Sequence, residues 1–420
     1  MQLSRVVTVA LVVLAAATGQ NLISDIMTPT GGNGSSGVEQ FHLVNGKAVF
    51  VASGDYGLEP WVTDGTGAGT RLLIDLMPNG GSAPRDFVAL GNQLLFVADV
   101  PGLGRELWKT DGTPAGTVLL ADVRSGAPSS EASGLVSFGG QVWFSADDGV
   151  HGRELWKSDG TTAGTVLAID RIVGPSGSAP DALTANGARL YFVATDPALG
   201  RELHVTDGTS IGTNLVADLS PSVASTRFEE FAVFGTQVLF AADVGAGMEP
   251  FVTDGTPSNT RSLGDLNPGA ASSSPREYRS LGSLAVFSAD GAGVGREPWV
   301  TDGTSAGTRL LLDANSGAVG SDPTELIVWN GFVWFRATNA AGAELWRSDG
   351  TTGGTGMFLD LSPGSRSSSP AEFAVIGSEL WFSAGSSTLG TEIWHSDGTP
   401  LGRVSSWISS PAPAALFRAR

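Results

Sequence analysis

Residues 106–113 read ELWKTDGT, and near-copies recur as EPWVTDGT from Glu59, ELWKSDGT from Glu154, ELHVTDGT from Glu202 and EPFVTDGT from Glu249. Three more follow: EPWVTDGT from Glu297, ELWRSDGT from Glu344 and EIWHSDGT from Glu392. The aspartate of each Asp-Gly-Thr falls at 64, 111, 159, 207, 254, 302, 349 and 397, at steps of 47 or 48 residues. So even a period means that one supersecondary unit has been laid down eight times.

Working outward from the motif, residues 72–120 show what the unit contains. An apolar run, Leu72–Leu76, is followed by the Pro/Gly/Ser loop PNGGSAPR, which no strand could include. Phe87–Leu90 and Leu94–Ala98 are strand-like and are joined by the tight turn Gly91-Asn92. After the loop DVPGLG, Glu106–Thr110 forms another strand, and Asp111-Gly112-Thr113 turns the chain toward the next apolar run. Asp suits that turn because its carboxylate can bond the backbone ahead of it, and Gly because it accepts positive φ. Four short strands per repeat, with no amphipathic helical pattern, predict an all-β chain. The fold is a β-propeller of four-stranded antiparallel blades, eight in number, with seven as the alternative.

Two columns support the blade reading. Phe recurs at 50, 96, 144, 192, 240, 287, 335 and 382, each followed two residues later by Ala, and residues two apart share one face of a strand. Trp stands at 61, 108, 156, 299, 346 and 394, replaced by His204 and Phe251. A Trp stripe could offer sugar-stacking platforms, but packing between blades with the indole N–H bonded is the better reading. Pro60, Pro250 and Pro298 share one slot of the motif, which places that slot at a strand edge or a bulge.

The bulk properties set the class. The chain has 420 residues with 58 Gly, 22 Pro and no Cys, so thiol catalysis and a lipidated-cysteine anchor are excluded. Residues 1–19, with Arg5, the apolar run Val6–Ala17 and small residues to Gly19, have the layout of a signal peptide cleaved near Ala17 or Gly19. Residues 20–410 then form a single propeller and 411–420 a disordered tail, and the mature protein is expected to be a secreted or cell-surface monomer without membrane insertion. For closure of the ring, the strand-like LISDI at Leu22–Ile26 is favoured over the segment Arg403–Ser410, because it keeps the Asp and the aliphatic pattern.

The formal net charge of −18 comes from the repeat, because each copy carries three acids: a Glu and an Asp in the motif, and a third of the type of Asp75 or Asp122. Those 3 × 8 = 24 of the 42 acids leave 18 acids against 24 bases, with no basic stripe for nucleic acid. The repeated acids could bind calcium, although no calcium-loop spacing is present and a turn-capping Asp needs no metal. No other cofactor is implied. Between the motif's preceding Gly and its Glu stand Arg105, Arg153, Arg201 and Arg296, where the other copies have Leu58, Met248, Ala343 and Thr391. Three neighbouring blades would set Arg side by side, near His151, as an anion-accepting patch; alternatively each Arg neutralises its neighbouring acids. No catalytic constellation is legible, with four His in different repeats and no nucleophile elbow. The Glu106, Trp108, Asp111, Gly112 and Thr113 set, with Glu154, Trp156 and Asp159 in the next copy, is read as structural. The Ser-rich loops that follow the apolar run, taken as the first strand of each unit, differ most among copies and are the candidate binding rim.

The string Glu-Leu-Trp-x-x-Asp-Gly-Thr resembles the ELWxxDGT repeat family of secreted bacterial, hyalin-like proteins over residues 22–402. That resemblance implies export and surface or matrix association, and it brings no established activity. Two functions follow. One is a binding or adhesion module that holds glycan or protein on its loop rim. The other is a secreted polysaccharide hydrolase or lyase with acids converging at the central channel.

Overall fold

A computed structural model describes residues 37–407, apart from 79, 221–224, 270, 387–389 and 400–404. The expected signal peptide, the run at 22–26 and the tail at 411–420 lie outside the described residues. Among those described, the strands form eight four-stranded antiparallel sheets, each built from four consecutive strands. Blades 1 to 8 span 39–72, 85–121, 133–169, 181–217, 227–262, 276–310, 324–359 and 371–407. The first strands of successive blades pack against one another and line the axis, so the chain is an eight-bladed β-propeller.

The blade boundary differs from the unit read off the sequence. The run beginning at Leu72 does not open a blade. Arg71–Leu72 is the fourth strand of blade 1, and blade 2 begins at Arg85–Leu90. The motif strand is therefore the third of its blade, Gly104–Thr110, and Asp-Gly-Thr leads to the fourth. The closure expectation is also corrected. The fourth strand of blade 8 is Ser405–Trp407, paired with Gly390–Ser396, so the C-terminal segment completes that blade.

Register explains both columns. Phe96 lies directly opposite Trp108 and Ala98 directly opposite Glu106; the Ala–Glu pair recurs in all eight blades and the Phe–Trp pair in six, with Phe192 opposite His204 and Phe240 opposite Phe251 in the others. Opposed residues share a face, so the Ala leaves room for the Glu side chain, whereas the ring packs on the aromatic beside it. In blades 2 to 8 the face that carries the Phe and Trp columns packs on the preceding blade. Between blades 1 and 2, Val49, Val51 and Val62 meet Phe87, Phe96 and Trp108. Six further junctions have one shared cluster each. Complete burial of one such Phe contributes about 1.5–3 kcal/mol. The expected indole bond is present for Trp299 and Trp394, which donate to Ala289 and Ala384 carbonyls; the Nε1 atoms of Trp61, Trp108, Trp156 and Trp346 are buried without a partner.

The Pro slot is indeed at a bulge. In blade 2 the pairing of the third and fourth strands slips between Leu107 and Trp108, and the fourth strand runs four residues, Val118–Ala121. Where Pro60, Pro250 or Pro298 replaces that Leu, the missing N–H shortens the fourth strand to two residues, while each Pro carbonyl still accepts an amide at 2.8–2.9 Å.

The turn motif proves longer than Asp-Gly-Thr. Asp111 Oδ1 accepts from Thr113 N at 2.9 Å and Thr113 Oγ1 at 2.6 Å, and Thr113 Oγ1 in turn accepts from Gly116 N at 3.0 Å. Thr110 and Thr117 hydroxyls meet at 2.7 Å, closing the turn. A Cβ on Gly116 would lie 2.1 Å from Asp111 Oδ1, which is why Gly stands there. In blade 5 Asn259 holds that position and its amide donates to Asp254 Oδ2 instead.

Gly116→Ala should therefore displace the Asp111 carboxylate and cost about 2 kcal/mol of unfolding free energy, read as a lower urea midpoint. Ala at Gly353, which has open space around it, should cost far less.

Candidate functional site

The upper rim is assembled from two kinds of loop, the crossovers between blades and the loops between second and third strands, and one residue of the motif ties them together. Glu154 is fully buried, and its carboxylate accepts Ile172 N at 2.9 Å, Ser178 N at 2.8 Å and Ser178 Oγ at 2.5 Å. All three donors lie on the crossover to blade 4. Glu106 takes Val123 N at 2.7 Å and Ser130 N at 2.8 Å in the same way. Glu59, Glu202, Glu249, Glu297 and Glu344 repeat the arrangement, each with a Ser or Thr hydroxyl among its donors. Burial raises the carboxyls of Glu59, Glu106, Glu154, Glu202, Glu249 and Glu297, and the donors oppose the rise; Glu106 is pushed up to about 7. The Glu of the motif is thus a fastener bonded to backbone amides, as its structural reading expects.

The four arginines singled out in the sequence stand beside those fasteners and are already engaged. Arg105 pairs with Asp99 at 3.2 Å and Glu131 at 2.7 Å. Arg153 donates to the Glu131 carbonyl at 2.6 Å and to Ser133 Oγ, and Arg201 pairs with Asp181. Arg105, Arg153 and Arg201 are therefore brought together near the upper ends of the first strands, in a row of alternating charges through Glu131 and Asp181. Arg296 is apart, held by Asp290 at 2.5 Å and the Ser274 carbonyl at 3.0 Å. Burial lowers Arg153 and Arg296, without threatening their charge at neutral pH. For Arg105, Arg201 and Arg296 this is the arrangement of the alternative in which each Arg neutralises nearby acids, whereas Arg153 is held by a carbonyl and a hydroxyl.

Along the stretch that carries Arg105 and Arg201 the acids are the more exposed partners, whereas Arg227 at the start of blade 5 is 71% exposed against 45% for its partner Glu229. Glu131, Asp181 and Asp322 have side chains 57%, 61% and 61% exposed, against 26% for Arg105 and 28% for Arg201. His151 belongs to a separate feature: its Nδ1 lies 2.7 Å from Asp148 Oδ2, while Asp148 Oδ1 accepts the amides of Val150 and His151 at 2.8 Å. The hydrogen bond to Asp148 raises the His151 imidazole. His204, in the Trp column, stacks on Phe192 and is pushed down to about 4 by burial, so it is neutral at neutral pH.

The sequence reading missed a column at the channel. The residue near the start of each first strand is Gln40, Asp86, Gly134, Ala182, Glu230, Glu277, Glu325 or Glu372, and all eight have positive φ of 52–67° at a bulge in the pairing with the second strand. Four acids in this column bridge blades. Asp86 accepts Gly134 N, Glu230 accepts Glu277 N, Glu277 accepts Leu326 N, and Glu325 accepts Glu372 N, at 2.8–3.2 Å. Aligning the copies on the aromatic or Leu that follows would have revealed it. Among the described residues no three His, Asp or Glu side chains converge as a metal site.

No family model and no curated protein matches this chain. Solved structures resemble it at low identity. One from a study of two prolyl endopeptidases has TM-score 0.43 and 11% identity over 77% of this chain and 49% of that one. Puromycin hydrolase has TM-score 0.42 and 14% identity, with 87% and 60% covered. The β-propeller domain of the Trilobed protease from Pyrococcus furiosus has TM-score 0.38 and 12% identity, with 78% and 99% covered. The chain spans about half to three fifths of the first two. The likeness concerns the fold, and no peptidase chemistry passes to this chain with it.

Two outcomes follow from the fasteners. Glu154→Gln places an amide N–H₂ among three donors and should lower unfolding free energy by about 1–3 kcal/mol in urea titration. In the pH dependence, the raised Glu106 binds its proton more tightly folded than unfolded. Stability should therefore increase as pH falls from about 7 toward the ordinary carboxyl range. The eight turn aspartates are held below their usual range, mainly by the Thr hydroxyl and amide, although for Asp254 burial is the largest single influence and opposes them. Their contribution is present above the unfolded Asp value and is lost as pH falls below it, so a denaturation series should show its maximum between the two regimes.

Proposed function

We propose that the protein is an exported binding module that holds a glycan or protein ligand on the upper rim of the propeller. The observation that carries this is the division of labour between repeated and non-repeated residues. Motif Glu, Asp, Gly and Thr are consumed in fastening crossovers and closing turns. The groups that differ between copies (Glu131, Asp181, Asp322 and His151) face solvent on the crossover and neighbouring loops. A rigid ring carrying variable loops suits recognition. The channel supports the same reading over a hydrolase, because its acids occupy one repeat-equivalent position and Asp86, Glu230, Glu277 and Glu325 are bonded to backbone amides of the next blade. Since Arg105 and Arg201 are paired while Glu131 and Asp181 beside them stand exposed, ligands bearing amines or neutral hydroxyls fit this stretch of the rim better than acidic polysaccharide. The signal-peptide layout and the ELWxxDGT resemblance support placing this module outside the cell.

A glycan array carrying neutral, amino and acidic glycans, probed with the mature protein, tests the proposal. Binding should favour neutral or amino glycans and fall at least about tenfold in a Glu131→Ala, Asp181→Ala, Asp322→Ala triple variant. Binding that the triple variant retains in full, or turnover of an arrayed glycan, would overturn it.

A further inference from the structure

We propose that the junction between blades 3 and 4 is an acid-sensitive latch, in which protonation of His204 loosens the crossover that runs from Arg171 to Asp181. Two positions meet at each of the seven junctions from blade 1 to blade 8. One is the aromatic slot of the motif strand. The other is the residue that follows the repeated Asp of the crossover leading into that blade. In six junctions both are apolar and share one cluster, as Leu76 does with Trp108 and Leu361 with Trp394. Between blades 3 and 4 the same two positions are Arg171 and His204.

His204 is fully buried and stacks on Phe192, with ring centroids 5.5 Å apart. Its Nδ1 lies 2.9 Å from the Glu202 carbonyl. A carbonyl only accepts, so Nδ1 carries the proton of the neutral ring and Nε2 keeps its lone pair. Nε2 is buried and has no hydrogen-bond partner. A second proton would therefore create a cation whose new N–H lacks an acceptor, in a dry place where unpaired charge is costly. The charged neighbours do not offset that cost. Arg171, on the crossover, opposes a second cation, and its own partner is Asp196 at the end of the second strand, at 3.0 Å. Burial first, and then Arg171, push the imidazole down to about 4 against the opposing pull of the Glu202 carbonyl and Asp196. The Glu202 carboxylate is taken up by Leu219 N and Thr226 Oγ1. Blade 3 contributes Phe138, Trp143, Leu155 and Ile169, none of which titrates.

The strain of protonation falls on a segment that matters. Next to Arg171, the Ile172 amide bonds Glu154 at 2.9 Å, and the crossover returns to the same carboxylate at Ser178 before it reaches Asp181, the partner of Arg201. Repulsion between His204 and Arg171 thus acts on the stretch that carries the donors of one fastener and one acid of the rim. The other copies cannot respond in this way, because Trp and Phe at the slot do not titrate. A folded value below the unfolded one means that the proton favours the open state. The junction is therefore fully closed above about pH 6.5 and loses stability as the pH falls toward about 4. Release of a rim ligand in acid rests on the function proposed above; the loosening itself does not.

Hydrogen exchange on the full chain, without ligand, tests the latch. Between about pH 7.5 and about pH 5, protection factors in Val166–Ile169 and Asp181–Asn186 should fall at least about tenfold further in the parent than in His204→Phe, a ring that the same slot already holds in blade 5 as Phe251. The difference between the two chains is the reading, because buried carboxyls and His42 also gain protons in acid. An equal fall in both chains would overturn the proposal. NMR titration of the His204 ring decides independently, whether or not His204→Phe folds: the ring should titrate well below the ordinary imidazole range, and an ordinary value in the folded chain would overturn the latch. Ligand binding that ignores pH in a chain passing both tests would leave the latch standing and count against the rim reading alone.

Discussion

A buried carboxylate governs the architecture. Each motif Glu is taken out of water into a site where only donors surround it, and that is tolerable because two or three of them, backbone amides and a hydroxyl, converge on its oxygens. The donors all come from the crossover that leads to the next blade. One side chain thus sets where the chain must leave one sheet and enter the next, and the Ala opposite it, such as Ala146 across from Glu154, keeps the space open. Replacing any of these parts separately would leave the others unsatisfied, so the Glu, the Ala and the Ser or Thr that ends the crossover belong together.

The lower face uses a different device for the same end. The Asp-Gly-Thr turn is locked by its own side chains, and the glycine lets it approach the hairpin of the blade before: Gly112 sits against Val44, and Gly208 against Trp143. Rim and base are therefore fastened by chemically distinct contacts, and between them lies a dry junction of Phe, Val and Trp. This leaves the surface features that differ between copies free of structural duty. It also makes the ring depend on contacts between neighbouring blades.

The high acid content takes on a different meaning in the folded chain. Seven Glu are interior and eight turn Asp are bonded to their own loops, so much of the charge that gives the net −18 is engaged within the repeat. The arginines are similarly spoken for. Arg105 and Arg201 look in the sequence like an anion-accepting row, but the same loop that carries them places them beside Asp99, Glu131 and Asp181. Position in a repeat predicts neighbourhood well. It does not predict which partner a long side chain will take, because that partner often lies on another blade, as Glu131 does for Arg105.

The repeat, the four strands, the eight blades, the turn at Asp-Gly-Thr and the Phe and Trp columns are legible in the chain alone, because each of these is local chemistry or a period of two along a strand. The Pro slot could be narrowed to a strand edge or a bulge. Where a blade begins is a matter of pairing, since a run such as Leu72–Leu76 is equally apolar whether it ends one sheet or opens another. The same holds for the C-terminal strand that completes blade 8, for the bulged acids at the channel, and for the fastener Glu. In the sequence ELWKTDGT marks a repeat; in the fold its Glu106 is a buried carboxylate whose donors lie 17 and 24 residues away on the crossover. Contacts at that distance carry no local signature, so they could be located only once the chain had closed on itself.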